Sequence, residues 1–389
     1  MPSSIDRRTL LRRGLQASGL VMTLPILEAC GSSSSSGAAT SGAASATSAA
    51  ASTGASAAAS ATASAAAASS APATTTAAAK AFGTIDYRLA WIKNVEFAGT
   101  YIADTKGYYK AEGFSKVNLI AGGPTAPPIE TDVVTKKAFV GLSAPDLVAA
   151  AVKAGAKLKI IGAQYQKNPF AIMSMTKTAI KTPQDMIGKK IGVQAANESV
   201  WNAFLKANKI DPSKITKVPV QFDPLPLTTG SVDGWFSFIT NEPNDLRGKG
   251  FDVTTFLMAD HNYPLVSECY VVLTDNISAQ ADKIKAMFRA EIKGWKDSTA
   301  DPAEGATLAA NVYGKGLGLK AAEQTLESKD QNALINSADT KKNGIFTITP
   351  ALIAQNIATL KFAGFDLTAE QLFDTSLIDA VYKEDPSLI

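Results

Sequence analysis

The chain has 389 residues, a formal net charge of +3, one histidine and two cysteines. Five of the 38 basic and two of the 35 acidic side chains fall in the first 80 positions, so the remaining body is neutral and offers no basic surface for nucleic acid. A single histidine, His261, excludes a histidine zinc cluster within one chain, and no Gly-x-Ser-x-Gly elbow exists to pair with it. His261 sits in the polar run Ala259-Asp260-His261-Asn262-Tyr263-Pro264, which reads as a loop. No catalytic centre, metal or cofactor is expected.

At the N-terminus, Arg7-Arg8-Thr9-Leu10-Leu11-Arg12 precedes a short apolar stretch that ends in Leu27-Glu28-Ala29-Cys30. This order resembles a twin-arginine export signal followed by a lipobox, with Glu28 where a small or apolar residue is usual. The resemblance implies removal of residues 1–29, a lipid on Cys30 and a place on the outer face of the cytoplasmic membrane. Residues 31–80 are Ala, Ser, Thr and Gly apart from Pro72 and Lys80, a composition with no large apolar side chain to offset the entropy of ordering. Positions 30–80 are therefore expected to be a tether. With Cys30 acylated, Cys269 has no partner for an internal disulfide, and stability rests on core burial.

From Ile85 onward, short β-rich runs alternate with helical patterns. Strands are expected at 87–91, 117–120, 139–142 and 157–164, with helices at 99–112 and 145–154. A further strand at 170–175 leads into a second α/β unit, with strands at 190–193, 217–222 and 234–238 and a helix at 198–208. Cys269 to Leu273 reads as a return strand, after which Ala281 to Trp295 and several later segments are helical. Alternation of this kind predicts α/β lobes with parallel-rich sheets and flanking helices. The expected division is 81–175 plus 271–389 for lobe 1 and 176–270 for lobe 2. Two crossings between the lobes make a clamshell whose ligand binds at the carboxyl ends of the strands.

The run Trp91-Ile92-Lys93-Asn94-Val95-Glu96-Phe97-Ala98-Gly99-Thr100-Tyr101, then Lys106-Gly107-Tyr108-Tyr109, resembles the opening of solute-binding proteins related to the thiamine-pyrimidine synthase superfamily. Further likeness lies in Gly122-Gly123, Lys181 to Gly192 and Thr240-Asn241-Glu242-Pro243. The resemblance implies a type II periplasmic-binding-protein clamshell serving an ABC importer, with a permease and a small molecule as partners and a monomeric state. Members bind thiamine pyrimidine precursors, riboflavin, sulfonates or nitrate. The cysteine-rich motif of the synthase is absent, which argues against its reaction.

Candidate ligand contacts cluster at the predicted strand ends. Asn94, Glu96, Phe97 and Tyr101 lie on the first strand-to-helix turn; the competing reading packs Phe97 and Tyr101 in the core and uses Asn94 as a cap. Ser143 ends a strand and serves either a ligand or a helix cap. Tyr165 and Asn168 follow the fourth strand and combine a ring with an amide, a combination suited to a flat heterocycle. In the second lobe the candidates are Asn197 and Glu198 at a helix start, then Phe236, Asn241 and Glu242, the last two in what is otherwise an ordinary hinge-side loop. Aromatic and amide side chains with little arginine favour a neutral aromatic heterocycle, riboflavin-like or pyrimidine-like, over an anion. The alternatives are a sulfonate or nitrate binder, a pyrimidine-converting enzyme, and a ligand-sensing partner of a membrane receptor.

Overall fold

The β-rich runs form ten strands whose directions follow from where the chain changes sheets. The structure, a computed structural model, describes residues 80–389. The export segment, Cys30 and the tether up to residue 79 lie outside the described residues. Gly83–Arg88 (β1), Phe114–Ile120 (β2), Val140–Ser143 (β3), Leu158–Tyr165 (β4) and Ser267–Leu273 (β10) make one sheet, ordered β2-β1-β3-β10-β4. Phe170–Met175 (β5), Lys190–Gln194 (β6), Thr216–Val220 (β7), Gly234–Phe238 (β8) and Val253–Leu257 (β9) make the other, ordered β7-β6-β8-β5-β9.

In each sheet three strands pair in parallel, and one strand, β10 or β5, runs antiparallel to both of its neighbours. Four of the five strands in each sheet thus run in one direction and a single strand is reversed. A strand that has just crossed from the other lobe starts at the cleft and must run away from it, whereas strands fed by helices arrive there. The same pairing moves the expected boundaries. Because β5 belongs to the second sheet from Phe170 and β10 to the first from Ser267, the changeovers occupy 166–169 and 258–266, not 175/176 and 270/271. β9 was not anticipated. The expected helix at 99–112 breaks at Lys106-Gly107, where Gly107 takes φ 75°, a conformation open to glycine at no steric cost.

Six helices matter for the site: Ala98–Thr105 (α1), Pro145–Lys153 (α2), Glu198–Ala207 (α3), Glu242–Gly248 (α4), Ala281–Ala300 (α5) and Ala321–Ile335 (α6). α1 and α5 cross at closest approach through Gly99 and Gly294. A Cβ on Gly99 would lie 2.2 Å from the Trp295 ring, and one on Gly294 would lie 2.1 Å from the Gly99 carbonyl oxygen. One turn before that crossing, the fully buried Glu291 accepts hydrogen bonds from Thr100 Oγ1 (3.0 Å), Tyr270 Oη (3.0 Å), Trp295 Nε1 (3.1 Å) and Tyr109 Oη. Its carboxyl joins β10 to three helical segments.

Burying a carboxyl costs several kcal/mol unless its oxygens are filled, and here four donors fill them. Replacing Glu291 by Ala leaves those donors without an acceptor. The expected loss is about 3 kcal/mol, read as a lower denaturant midpoint with an unchanged m value.

Candidate functional site

The strand directions determine what meets in the cleft. Strands that arrive there deliver the residues after their carboxyl ends, and the two crossing strands deliver their first residues. A cavity of about 210 Å³ lies between the sheets. Lobe 1 contributes Ala90 and Trp91 after β1, Glu96, Ile129, Ser143 as the last residue of β3 with Ala144 after it, and Leu147. Lobe 2 contributes Asn197, Phe222 after β7, Phe238, Asn241 and Glu242. The starts of the crossing strands add Phe170 on one side and Ser267 with Glu268 on the other.

Four aromatic rings shape this space. Trp91 and Phe222 face each other from opposite lobes with centroids 5.3 Å apart, while Phe170 meets Phe238 edge to face at 5.8 Å. The charged residues on the wall are all acidic: Glu96, Glu242 and Glu268. Arg88, at the end of β1, is turned away and fully engaged, donating to Asp132 Oδ2 at 2.8 Å and to the carbonyl oxygens of Leu89 and Pro127.

Glu96 is held by its backbone. It belongs to the turn Val95–Phe97, which three glutamines grip: Val95 N–H donates to Gln324 Oε1 (2.7 Å), Gln331 Nε2 donates to the Val95 carbonyl (3.0 Å), and Gln164 Nε2 donates to the Glu96 carbonyl (2.9 Å). Gln324 and Gln331 come from α6 and Gln164 from β4, so each partner sits on a regular element. All three are buried. Three buried hydrogen bonds of this kind fix the turn within a narrow range of geometries.

Glu268 reaches the cavity by a different device. Adjacent residues of a strand point to opposite faces, yet Ser267 and Glu268 both line the cavity. Glu268 has φ 47°, in the left-handed region that a non-glycine residue enters at a cost of about 1 kcal/mol. That kink turns its carboxyl onto the same side as Ser267.

Both acids are 4 % exposed and line the same cavity, with the two carboxyl groups near enough to act on each other's ionisation. Burial pushes both pKa values up, and for Glu268 the neighbouring Glu96 charge adds to the rise. Across the cavity burial raises Glu242 to about 7, although the Phe238 N–H donates to its Oε2 at 2.8 Å. On α6 burial raises Glu327 to about 8.

Of the twelve residues expected from the sequence, the structure brings Glu96, Ser143, Asn197, Asn241 and Glu242 together around the cavity. Asn94 borders an adjoining hollow with Gln324 and Glu327, and its Oδ1 accepts from Glu96 N as a cap. Phe97, Tyr101, Tyr165 and Phe236 are core residues. Tyr101 stacks on Tyr313 at 4.2 Å, and Tyr165 Oη donates to Gln331 Oε1 at 2.8 Å. Asn168 staples the two crossings to each other, donating from Nδ2 to the Tyr263 carbonyl (2.6 Å) while its N–H donates to the Leu265 carbonyl (2.7 Å). Glu198 is exposed and paired with Lys217. Sequence reasoning passed over Trp91, Phe170, Phe222, Phe238, Ser267 and Glu268 as ligand contacts. For Glu268 a signal existed: one acid inside the apolar run Leu265 to Leu273.

The lobes also touch beside the cavity. Asn244 Nδ2 on α4 donates to Asp330 Oδ2 on α6 at 2.8 Å, and Lys206 Nζ on α3 donates to the Phe362 carbonyl at 2.9 Å. Among the described residues no group of three or more His, Cys, Asp or Glu could hold a metal ion, and no helix is long and apolar enough to cross a membrane.

The profile of the NMT1/THI5-like family matches residues 94–305, more than half of the chain. The chain belongs to the NMT1/THI5-like family. Among curated proteins, the riboflavin-binding protein RibY of Chloroflexus aurantiacus is 26 % identical over 234 residues, which cover 56 % of this chain and 62 % of that protein. The chain therefore spans about three fifths of the length of this relative. Among solved structures, the periplasmic aliphatic sulphonate binding protein SsuA from Escherichia coli superposes with a TM-score of 0.55 at 15 % identity, covering 72 % of this chain and 91 % of SsuA. The periplasmic nitrate-binding protein NrtA from Synechocystis PCC 6803 gives 0.56 at 12 % identity over 77 % of this chain and 89 % of NrtA. At those identities the likeness establishes the periplasmic-binding-protein fold of this NMT1/THI5-like chain, with its two sheets and flanking helices.

A carboxyl whose folded pKa exceeds its unfolded value near 4.3 holds its proton more tightly when folded. Its stabilising contribution is complete below that range and is lost as the pH rises through the folded value. With the carboxyls of Glu96, Glu242, Glu268 and Glu327 all shifted upward, the melting temperature of the ligand-free chain is expected to fall between about pH 5 and pH 8. Glu268→Gln should flatten part of that fall. Thermal unfolding across the interval checks both, and a midpoint that climbs over the same range contradicts the electrostatic account.

Proposed function

We propose that this chain is the extracytoplasmic solute-binding subunit of an ABC importer and that it holds a small aromatic heterocycle, riboflavin-like or pyrimidine-like, between its lobes. The observation that carries the reading is the cavity wall: four aromatic rings, two asparagines and three acids, with no lysine or arginine. A flat ring can lie against the aromatic wall of Trp91, Phe170, Phe222 and Phe238 while Asn197 and Asn241 exchange hydrogen bonds with its edge. A sulfonate or nitrate would meet three carboxyls and no compensating cation, a charge arrangement that opposes binding. The name of the RibY relative fits the heterocycle reading.

In this reading the chain acts by closure and not by covalent chemistry, and the ligand completes a contact surface that a permease recognises. The Trp91–Phe222 contact joins the lobes beside the ligand, and the Asn244–Asp330 and Lys206–Phe362 hydrogen bonds latch the flanks. A lipid on Cys30 and the tether behind it would hold a monomer at the outer face of the membrane, within reach of the permease.

A thermal-shift screen of riboflavin, aminopyrimidines, an alkanesulfonate and nitrate tests this. A ligand bound only by the folded state raises the midpoint, so a flavin or an aminopyrimidine is expected to do so and the anions are not. Trp91→Ala is expected to weaken the binding of the active compound about tenfold in calorimetry. A shift produced by the anions alone would overturn the heterocycle reading, and turnover of a bound compound would overturn the binding role.

A further inference from the structure

Two acids side by side in a buried wall, with no cation to balance them, call for a ligand that supplies the missing donors. Glu268 is 4 % exposed, lines the cavity, and receives no hydrogen bond from any N–H group among the described residues; its Oε2 is sealed from water without such a donor. The group beside it is the Glu96 carboxyl, equally buried. The backbone around both is committed to holding them there, through the three-glutamine grip on Val95–Phe97 and the left-handed kink at Glu268. A structural carboxyl in the same lobe looks different: Glu291 takes four donors from its surroundings. The Glu96–Glu268 pair lines the cavity without a comparable set of donors.

We propose that Glu96 and Glu268 share one proton in the ligand-free cleft and together bind the paired N–H edge of a planar amidine-type cation, releasing that proton to solvent as the ligand enters. This inference rests on the heterocycle reading of the cleft and narrows it to rings that carry two parallel N–H donors with a positive charge. Two carboxylate oxygens from neighbouring side chains complement that edge in charge and in acceptor number, as one carboxylate complements a guanidinium. The aromatic side chains of the wall, Trp91, Phe170, Phe222 and Phe238, then pack against the same ligand.

The other ionisable groups that face the couple leave its proton count alone. Tyr101 on α1 and Tyr165 on β4 are buried phenols that stay neutral, and Cys269, next in β10, is a buried thiol whose pKa is also raised. Glu242 across the cavity and Glu327 on α6, raised by burial to about 7 and about 8, are largely protonated at pH 6 and add negative potential only as the pH rises through those values. Lys249, in the adjoining hollow, is paired with Asp245 at 2.8 Å.

The test uses the full-length chain and three isosteric probes: benzamidine as the planar amidinium, benzamide as its neutral counterpart, and benzenesulfonate as the anion. Calorimetry at pH 6 and pH 8, in two buffers of different ionisation heat, reads affinity and proton release together. Benzamidine is expected to bind at least tenfold tighter than benzamide, to release close to one proton at pH 6, and to gain up to tenfold in affinity per pH unit until the couple ionises unaided. Glu268→Gln and Glu96→Gln should each weaken benzamidine about tenfold and abolish the proton release. An unliganded melting temperature at or above that of the parent at pH 8 shows that these variants fold. Benzamidine binding without proton release, affinity equal to that of benzamide, or variants that bind as the parent does would each overturn the shared-proton couple. If riboflavin or an aminopyrimidine still binds in that event, the heterocycle reading survives. If benzenesulfonate is the probe that binds, both readings fall.

Discussion

Keeping two carboxyl groups in contact inside a protein wall, away from any cation, sets conditions on everything around them. Desolvation and mutual repulsion favour turning the side chains out to water, so the backbone has to prevent it. For Glu96 the glutamines of α6 and β4 saturate the carbonyl and N–H groups of its turn, and the turn cannot rotate without leaving buried polar groups unpaired. For Glu268 the restraint is the strand itself, anchored two residues later by Tyr270 through Glu291. The polar interior of lobe 1 is therefore one connected system running from the α1–α5 crossing to the cavity.

The topology explains why the cavity is built as it is. In a purely parallel sheet only the carboxyl ends of strands face the cleft. Here each lobe also presents the first residues of a strand that has just crossed over: Phe170 in one sheet, Ser267 and Glu268 in the other. These positions lie next to the hinge segments, whose mutual spacing is set by Asn168 bridging Tyr263 and Leu265. Motion at the hinge and the placement of Glu268 are thus coupled through a few residues of backbone.

This arrangement also accounts for what could be read from the sequence. The alternation of β-rich and helical segments led to the two-lobed α/β fold, and most strands formed where the hydrophobic runs lay. The turn and loop residues Glu96, Ser143, Asn197, Asn241 and Glu242 were legible because residues after an arriving strand belong at the cleft in this class of sheet. Phe170, Ser267 and Glu268 were not, since strand direction depends on pairing partners far away in the chain, and periodicity carries no sign of direction. The aromatic candidates failed for a related reason. A ring near a strand end fits the cleft and the core equally well by composition, and Phe97, Tyr101, Tyr165 and Phe236 were taken by the core, where a large apolar surface is worth most. The glutamine grip was out of reach because Gln324 and Gln331 meet Val95 across more than two hundred residues.

The second sheet is drawn from one uninterrupted stretch, Phe170 to Leu257, while the first has β10 inserted between β3 and β4, which precede it in the chain by over a hundred residues. The two lobes consequently differ in when they can be completed. Lobe 2 holds every strand of its sheet within itself and can close early, with short loops. Lobe 1 has to keep its central gap open until Ser267–Leu273 has been delivered, and delivery is by the already closed lobe 2. Assembly of the half that carries both acids of the couple is then the late step in folding, and slow delivery of β10 exposes the edges of β3 and β4 to pairing with other chains.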